Sequence, residues 1–234
     1  MNMRKKLDIS AYLVVGPENT LGRPVGDIIR AAVENGFTCL QIRSKTASAR
    51  ELIALCREAA DVLRELGKAE DVVLLVDDRL DVVLAARDVG IKVDGIHVGQ
   101  SDIPVAVCRK FLGPEAVIGL SARTQELLDY VRQADTRDID YFGAGPLHET
   151  ATKPDCGRDA AGHIITRSFE ELTELHAISP VPVVVGGGVK AHDLPALRKT
   201  GVDGFFVVSA VAGAEEPAAA ARELVATWKA APRS

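Results

Sequence analysis

Two cationic side chains follow one of the strand-like segments of this sequence. Arg43 and Lys45 lie two residues apart after the apolar run TCLQI, so both side chains can point to the same side of an extended chain. Paired cations of this kind suit a phosphate or a diphosphate group. The alternative is that both are solvated surface charges.

Carboxylates follow the next two strand-like runs. Asp77 and Asp78 follow VVLLV, and Asp102 follows GIHVGQS. Two carboxylates about 4 Å apart repel by roughly 4 kcal/mol at an effective dielectric constant near 20, and a divalent cation removes that repulsion. Oxygen ligands with no histidine or cysteine beside them favour Mg²⁺, with Asp78 and Asp102 as its ligands. Alternatively, Asp77 and Ser101 cap the helices that follow.

Glycines and hydroxyl groups lie in the later loops. The Gly-Gly-Gly-Val segment 186–189 precedes a predicted helix, and Ser209 lies near the start of another. Such loops often bind a phosphate through backbone N–H groups, although a glycine triplet can equally form a simple turn. Thr150 and Thr152 add hydroxyls in a facing loop, and Lys153 adds a cation. The alternative for Lys153 is a solvent-exposed surface charge. The sequence thus predicts a metal-assisted diphosphate site and a backbone monophosphate site.

The order of elements predicts how these residues are positioned. Eight short β-branched runs alternate with segments of helical spacing such as Ser48 to Gly67; the runs are YLVV, TCLQI, VVLLV, GIHV, AVIGL, DYFG, VPVVV and GFFVV. Their near-continuous hydrophobicity suits a buried parallel sheet. We therefore predict one α/β domain over residues 1–234, a (β/α)₈ TIM barrel that gathers the strand-end residues at its carboxyl-terminal face. An open doubly wound sheet is less supported, because only GPENTLG follows the first strand.

Composition excludes several classes of function. The chain of 234 residues is 47% hydrophobic and 26% charged with a net charge of −5, which predicts a soluble globular protein without a basic surface for nucleic acid. Its apolar runs fall short of the roughly 20 residues of a membrane span, and its start lacks the pattern of a signal peptide, so we expect a cytoplasmic protein. A homo-oligomer is left open. Cys39, Cys56 and Cys108 are interpreted as core residues.

The remaining candidates are weaker. No Ser-His-Asp set or activated thiol is visible, His97 is interpreted as a core group within a strand, and His148 is a minor acid–base candidate in the sixth loop. The segment 155–168, with Arg158 and Arg167, is either a lid or a plain surface loop.

Seven segments resemble one known family. They are QIRSK, DDRLD, DGIHVGQSD, GLSART, GPLHETATK, VPVVVGGGV and GVDGFFVVSAV, and they run in the family's order from Gln41 to Val211. On these motifs the chain resembles the thiamine phosphate synthases. That resemblance implies condensation of an aminopyrimidine methyl diphosphate with a thiazole phosphate, with loss of pyrophosphate by a dissociative mechanism that depends on positioning and charge stabilisation.

The resemblance also implies roles for individual residues. Asp78 and Asp102 would hold Mg²⁺. The pyrimidine diphosphate would be surrounded by Gln41, Arg43, Lys45, Ser121 and Lys153, of which all but Gln41 are counted as catalytic, and Asp77 would contact substrate. The thiazole phosphate would be held by Thr150, Thr152, Gly188, Val208 and Ser209.

Four positions depart from the family pattern. Asp77 replaces an Asn, Ser44 replaces an acid, Arg123 replaces a His, and Gly186 adds a glycine. We expect tuning of the site rather than loss of activity, because no departure falls on a predicted metal ligand or lysine.

Two other functions fit the same motifs. A related branch of thiazole tautomerases has a His at the position of Pro146 and lacks the acid at Asp78; the presence of both residues favours the synthase, whereas the nearby His148 keeps the isomerase open. A sensor that binds thiamine phosphate without turnover would not need Asp78, Asp102 and Lys153 together.

Overall fold

The strands close into a barrel. The computed structural model describes residues 2–149, 157 and 162–233. Each strand pairs in parallel with the next, and the last pairs with the first. This confirms the predicted TIM barrel, whose strands are β1 (Ala11–Val15), β2 (Cys39–Ile42), β3 (Val73–Asp77), β4 (Gly95–Val98), β5 (Val117–Ser121), β6 (Tyr141–Ala144), β7 (Val183–Val185) and β8 (Gly204–Val207).

Helices cover the outside of the barrel. Ser48 begins the longest of them with a capping box, in which its side chain accepts the Glu51 N–H and the Glu51 side chain accepts the Ser48 N–H. Within the described residues the α-helices are α1 (Val25–Glu34), α2 (Ala49–Glu65), α3 (Leu80–Asp88), α4 (Val105–Leu112), α5 (Leu127–Gln133), α6 (Phe169–Ile178), α7 (Leu194–Lys199), α8 (Ser209–Ala212) and α9 (Pro217–Ala230). None of these helices is long and apolar enough to cross a membrane.

The core has two layers. The larger lies between strands and helices, and the smaller lies inside the barrel around Tyr12 and Tyr141. Cys39, Cys56 and Cys108 are buried free thiols, as predicted. Burial raises the pKa of the Cys56 thiol to about 12, so this thiol is not an activated nucleophile.

Glycines make room for rings inside the barrel. Gly119 of β5 lies in register with His97 of β4 and Tyr141 of β6, so the two side chains flank it on neighbouring strands. A Cβ atom at Gly119 would lie 2.2 Å from Tyr141 Cζ and 2.5 Å from His97 Nδ1. A Cβ at Gly143 would lie 3.1 Å from His97 Cε1, and one at Gly186 only 2.2 Å from a Phe206 ring carbon. Small and large residues therefore alternate around the barrel interior.

We expect Gly119→Ala to lower the free energy of unfolding by about 1–3 kcal/mol, the usual cost of forcing extra volume into a packed core. Gly143→Ala is the matched control, because its Cβ meets a looser contact and it should lose less. Urea unfolding of both variants measures the difference. A loss for Gly119→Ala no larger than for Gly143→Ala would contradict the assignment of Gly119 as the tighter contact.

Candidate active site

One cavity opens where the strands end. Its volume is about 700 Å³, and it is lined by inward-facing strand residues and by residues that end or follow the strands. The structure brings together in it every predicted site residue that it describes, namely Gln41, Arg43, Lys45, Asp77, Asp78, Asp102, Ser121, Gly188, Val208 and Ser209. Thr150, Thr152 and Lys153 lie outside the described residues, so their roles stay predictions.

The cations meet the acids of the next strand. Asp77 Oδ2 lies 3.2 Å from Arg43 Nε and 3.3 Å from Lys45 Nζ, and Lys45 also forms an ion pair with Asp78. Partial burial would lower the pKa of Lys45, but the hydrogen bond to Asp78 and the charge of Asp77 outweigh it and raise that pKa. The Arg43 side chain is only 18% exposed, so the alternative of a solvated surface charge is wrong for this residue.

The departure at Asp77 has a local role. A carboxylate at this position pairs with both Arg43 and Lys45, which the usual amide could not do by charge. The positive charges of Arg43 and Lys45 are therefore balanced by carboxylates of the chain itself.

The two predicted metal ligands lie in contact. Asp78 adopts a positive φ of +58°, which Asp tolerates better than most residues, and its N–H donates to the His97 carbonyl at 2.8 Å. Asp102 accepts the Gly99 N–H at 2.8 Å. Burial raises the pKa of Asp102, and the neighbouring Asp78 carboxylate raises it further, against the opposing bond from Gly99.

Helix capping does not explain these acids. The helix after β3, α3, has Arg79 at its N-cap, and α4 has Pro104 there; neither has a side-chain cap. The alternative that Asp77 and Ser101 cap these helices is therefore wrong.

The donor set suits a hard divalent cation. Asp78 and Asp102 offer carboxylate oxygens that repel each other, with a cationic Lys45 as the counter-ion in this structure. No group of three or more His, Cys, Asp or Glu gathers into a metal site among the described residues. Two carboxylates with water and phosphate oxygens are a common Mg²⁺ environment, so the residues fit that ion.

The glycine triplet joins two loops on the opposite side of the cavity. The Leu147 N–H donates to the Gly186 carbonyl at 3.0 Å, and the His148 N–H donates to the Gly187 carbonyl at 2.9 Å. A Cβ at Gly187 would lie 2.5 Å from Pro146 Cβ, and its φ is +81°. The added glycine of the motif, Gly186, faces the Phe206 ring. The triplet is thus required by packing as well as available to a ligand.

His148 points away from the cavity. Its Nε2 lies 2.9 Å from Asp193 Oδ1, and the residue is absent from the cavity wall, where Pro146 is present. Arg167 is buried and bonds Glu171 at 2.6 Å, so it is not a free cation of a lid. Arg158, with the rest of 150–156 and 158–161, lies outside the described residues.

Sequence reasoning missed three residues. Tyr12 and Tyr141 form part of a buried polar network that Gln41, His97 and Ser121 complete. The signal was the presence of tyrosines at inward positions of apolar strands, where a hydroxyl needs a partner.

Glu18, the third missed residue, organises the loop after β2. Its Oε1 accepts the Lys45 N–H at 3.1 Å, the Thr46 hydroxyl at 2.9 Å and the Ser44 hydroxyl. Burial would raise the pKa of Glu18, but these hydrogen bonds outweigh it and lower that pKa. Ser44, which replaces an acid of the family pattern, thus donates a hydrogen bond to an acid from the loop after β1, Glu18.

Fold and cavity together define a TIM-barrel protein with a charged cavity at its carboxyl-terminal face. The family model described as thiamine monophosphate synthase matches residues 11–211. The thiamine-phosphate synthase of Corynebacterium efficiens is 41% identical over 223 residues, 95% of this chain and 96% of that protein, and the one of Moorella thermoacetica is 38% identical over 91% of this chain and 92% of its own. The chain therefore belongs to the thiamine monophosphate synthase family.

A solved structure agrees with this assignment. The thiamine phosphate pyrophosphorylase of Pyrococcus furiosus superposes with a TM-score of 0.78 at 30% identity, covering 97% of this chain and 98% of that one. The barrel is thus shared over its whole length.

Replacing Asp102 by Asn should stabilise the protein in EDTA. Because the folded carboxyl has a raised pKa, its ionisation costs stability as pH rises above the unfolded value, and Asn avoids this cost while keeping an acceptor for Gly99. Thermal unfolding should show a gap that grows from acid to neutral pH, and Mg²⁺ should raise the midpoint of the unchanged protein only. A variant stabilised equally by Mg²⁺ would contradict the metal assignment.

Removing the Glu18 side chain should weaken anion binding, although the substitution leaves every cationic side chain in place. Glu18→Ala frees the loop that carries Lys45, so we expect inorganic pyrophosphate with Mg²⁺ to bind about 10-fold more weakly by calorimetry. Glu18→Gln keeps an acceptor and should lose less. Equal affinity of Glu18→Ala and the unchanged protein would refute this positioning role.

Proposed function

We propose that this chain joins an aminopyrimidine methyl diphosphate to a thiazole phosphate, forming thiamine phosphate and pyrophosphate. The observation that carries the proposal is one cavity with cations and paired carboxylates on one side and a glycine-rich loop on the other. A substrate pair with one diphosphate and one monophosphate matches this division. The curated relatives in two bacterial species carry the same activity in their names.

The diphosphate side is assigned to β2, β3 and β4. In the proposed complex Arg43 and Lys45 leave their contacts with Asp77 and Asp78 and turn to the diphosphate oxygens. Arg43 can do so bidentately, which fixes the leaving group in one orientation. Lys153 is assigned to the same group as a prediction from the sequence.

The residues Asp78 and Asp102 are proposed to hold Mg²⁺. When bound, the ion would offset their mutual repulsion and neutralise part of the charge that develops on the departing diphosphate. The positive φ of Asp78 and the Gly99 bond of Asp102 hold both carboxylates in place before any ion arrives.

The monophosphate side is assigned to the loops after β7 and β8. Gly188, Val208 and Ser209 line this part of the cavity, and Ser209 begins α8. Backbone N–H groups and the Ser209 hydroxyl can approach phosphate oxygens here, and Thr150 and Thr152 are predicted to add theirs.

The reaction balances without a general base. The bond between the methylene carbon and the diphosphate oxygen breaks with its electron pair on pyrophosphate, and the thiazole nitrogen lone pair forms the new carbon–nitrogen bond. The chain's residues hold the two reactants in line and stabilise the departing charge. The position of His148 outside the cavity favours this reaction over a tautomerase, which would need a proton-transferring group at that loop.

The test is pyrophosphate release from the purified protein. We expect release only with both substrates and Mg²⁺, thiamine phosphate as the second product, and no release in EDTA. Asp102→Ala should lower turnover by more than the roughly 10- to 100-fold that follows loss of a residue that only orients a metal ligand. Asp81→Ala, which removes an exposed acid paired with Arg79, should stay near the unchanged protein. Binding of either ligand without release would overturn the synthase in favour of a sensor.

A homo-oligomer and a cytoplasmic location remain predictions from the sequence. Size-exclusion chromatography with light scattering measures the first.

A further inference from the structure

The loop after β1, residues 16–24, reaches both sides of the cavity from outside it. None of its residues is among the described residues that line the cavity. On one side, Glu18 Oε1 accepts the Lys45 N–H at 3.1 Å and the Thr46 hydroxyl at 2.9 Å, in the segment after β2. On the other side, Arg23 bonds the chain at the end of α8. One short loop therefore contacts the supports of both predicted anion sites.

Arg23 closes the carboxyl-terminal end of α8. Its Nη2 donates to the Ala212 carbonyl at 2.8 Å, and its Nη1 donates to the Ala214 carbonyl at 2.7 Å. Carbonyls at a helix end lack partners within the helix, so a guanidinium satisfies them and suits the helix dipole. Because α8 is a single turn, Ala212 lies only three residues after Ser209, and its N–H donates to the Val208 carbonyl at 2.9 Å. Arg23 thus fixes the turn that carries two cavity-lining residues, Val208 and Ser209.

The loop between these two contacts is a compact turn. The Thr20 carbonyl accepts both the Arg23 N–H at 3.2 Å and the Arg23 Nε–H at 3.0 Å, and Thr20 is only 1% exposed. Leu21 and Gly22 reverse the chain with φ values of +54° and +82°. A turn closed by its own side chain moves as one piece, so a displacement at Arg23 reaches Glu18.

The beginning of the loop lies against the strand that carries the cations. The Arg43 N–H donates to the Val15 carbonyl at 2.9 Å, and a Cβ atom at Gly16 would lie only 1.8 Å from the Arg43 carbonyl oxygen. This close backbone approach leaves no room for the loop to shift at its start. The loop is therefore held at its start, at Glu18 and at Arg23.

We propose that the loop after β1 is a brace that fixes the spacing between the diphosphate side and the monophosphate side of the cavity, an inference that rests on the proposed function. Glu18 and Arg23 are its two positioning residues, and neither touches a substrate. Two reactants held on opposite sides meet in line only if their binding groups keep a fixed separation. Loss of either end of the brace should therefore disturb both sides.

Arg87 offers a matched control for Arg23. Its guanidinium also satisfies three backbone carbonyls, those of Val93 at 2.7 Å, Asp94 at 2.8 Å and Leu112 at 3.1 Å. Leu112 ends α4, and Val93 and Asp94 precede β4, so these bonds lie at the end of the barrel away from the cavity. Replacing Arg87 removes the same kind of bond without touching the brace.

The first measurement is the binding of inorganic pyrophosphate with Mg²⁺ by calorimetry. Arg23→Met should weaken binding by about 3- to 10-fold, a coupling typical of a packed path, although Arg23 lies on the opposite side of the cavity. Arg23→Lys keeps one donor and should lose less. Arg87→Met should bind as the parent does, and the two Lys variants give the same comparison if a Met variant does not fold. Parent affinity in both Arg23 variants would overturn the proposal.

A double-mutant cycle tests whether the two ends act as one brace. If a single rigid loop carries the effect, Glu18→Ala combined with Arg23→Met should bind pyrophosphate no more weakly than the worse single variant. A loss equal to the product of the two single losses would show that the ends act independently, and it would overturn the brace.

The third measurement is kinetic. Arg23→Met should raise the KM for thiazole phosphate about 10-fold and also lower kcat, because the reactants no longer meet in line. Arg87→Met should lower the unfolding midpoint and leave both constants near those of the parent. An Arg23→Met variant that is destabilised like Arg87→Met but keeps both constants would reduce Arg23 to a structural role.

The two proposals can fail separately. If the unchanged protein forms no thiamine phosphate while Arg23→Met still weakens pyrophosphate binding, the proposed function falls and the brace stands. If the protein is active but Arg23→Met binds pyrophosphate as the parent does, the brace falls and the function stands.

Discussion

Space inside the closed barrel is the constraint on which the rest of the structure depends. An eight-stranded barrel has an interior just wide enough for side chains to fill, so a ligand cavity and a polar network can coexist there only if some positions carry no side chain. Gly119, Gly143 and Gly186 provide that room, and the rings of Tyr141, His97 and Phe206 occupy it. These three glycine positions therefore shape the floor of the cavity and position the rings that line it.

The order of the strands determines which charged residues meet at the open end of the cavity. Adjacent parallel strands deliver cations from β2 beside acids from β3 and β4, because residues that leave neighbouring strands at the same edge lie close together. The loop after β1 supports this arrangement through Glu18, which bonds the segment carrying Lys45. The charged side of the cavity is therefore assembled from four consecutive strand ends rather than from one motif.

The sequence was sufficient for the fold and for the location of the cavity. Apolar runs such as VVLLV are local signals, and the family-like motifs sit directly at the strand ends, so Arg43, Lys45 and Asp78 could be assigned to one face. The partners of Tyr12 and Tyr141 in the buried polar network were not predictable, because these two hydroxyls meet across 129 residues and their pairing depends on barrel register. The positive φ of Asp78 likewise carries no signal in residue type, since Asp is also common in ordinary turns.

In the proposed reaction, the ion pair between Lys45 and Asp78 makes the binding of a cation at Asp78 and of a diphosphate at Lys45 interdependent. A cation that takes the Asp78 carboxylate releases the Lys45 ammonium, and a diphosphate that takes the ammonium releases the carboxylate. Thermodynamic linkage requires these two effects to be equal, so each partner raises the affinity for the other by the same factor. The protein would then hold neither firmly alone, and it would select the metal-bound diphosphate as a unit from a solution in which both components also occur separately.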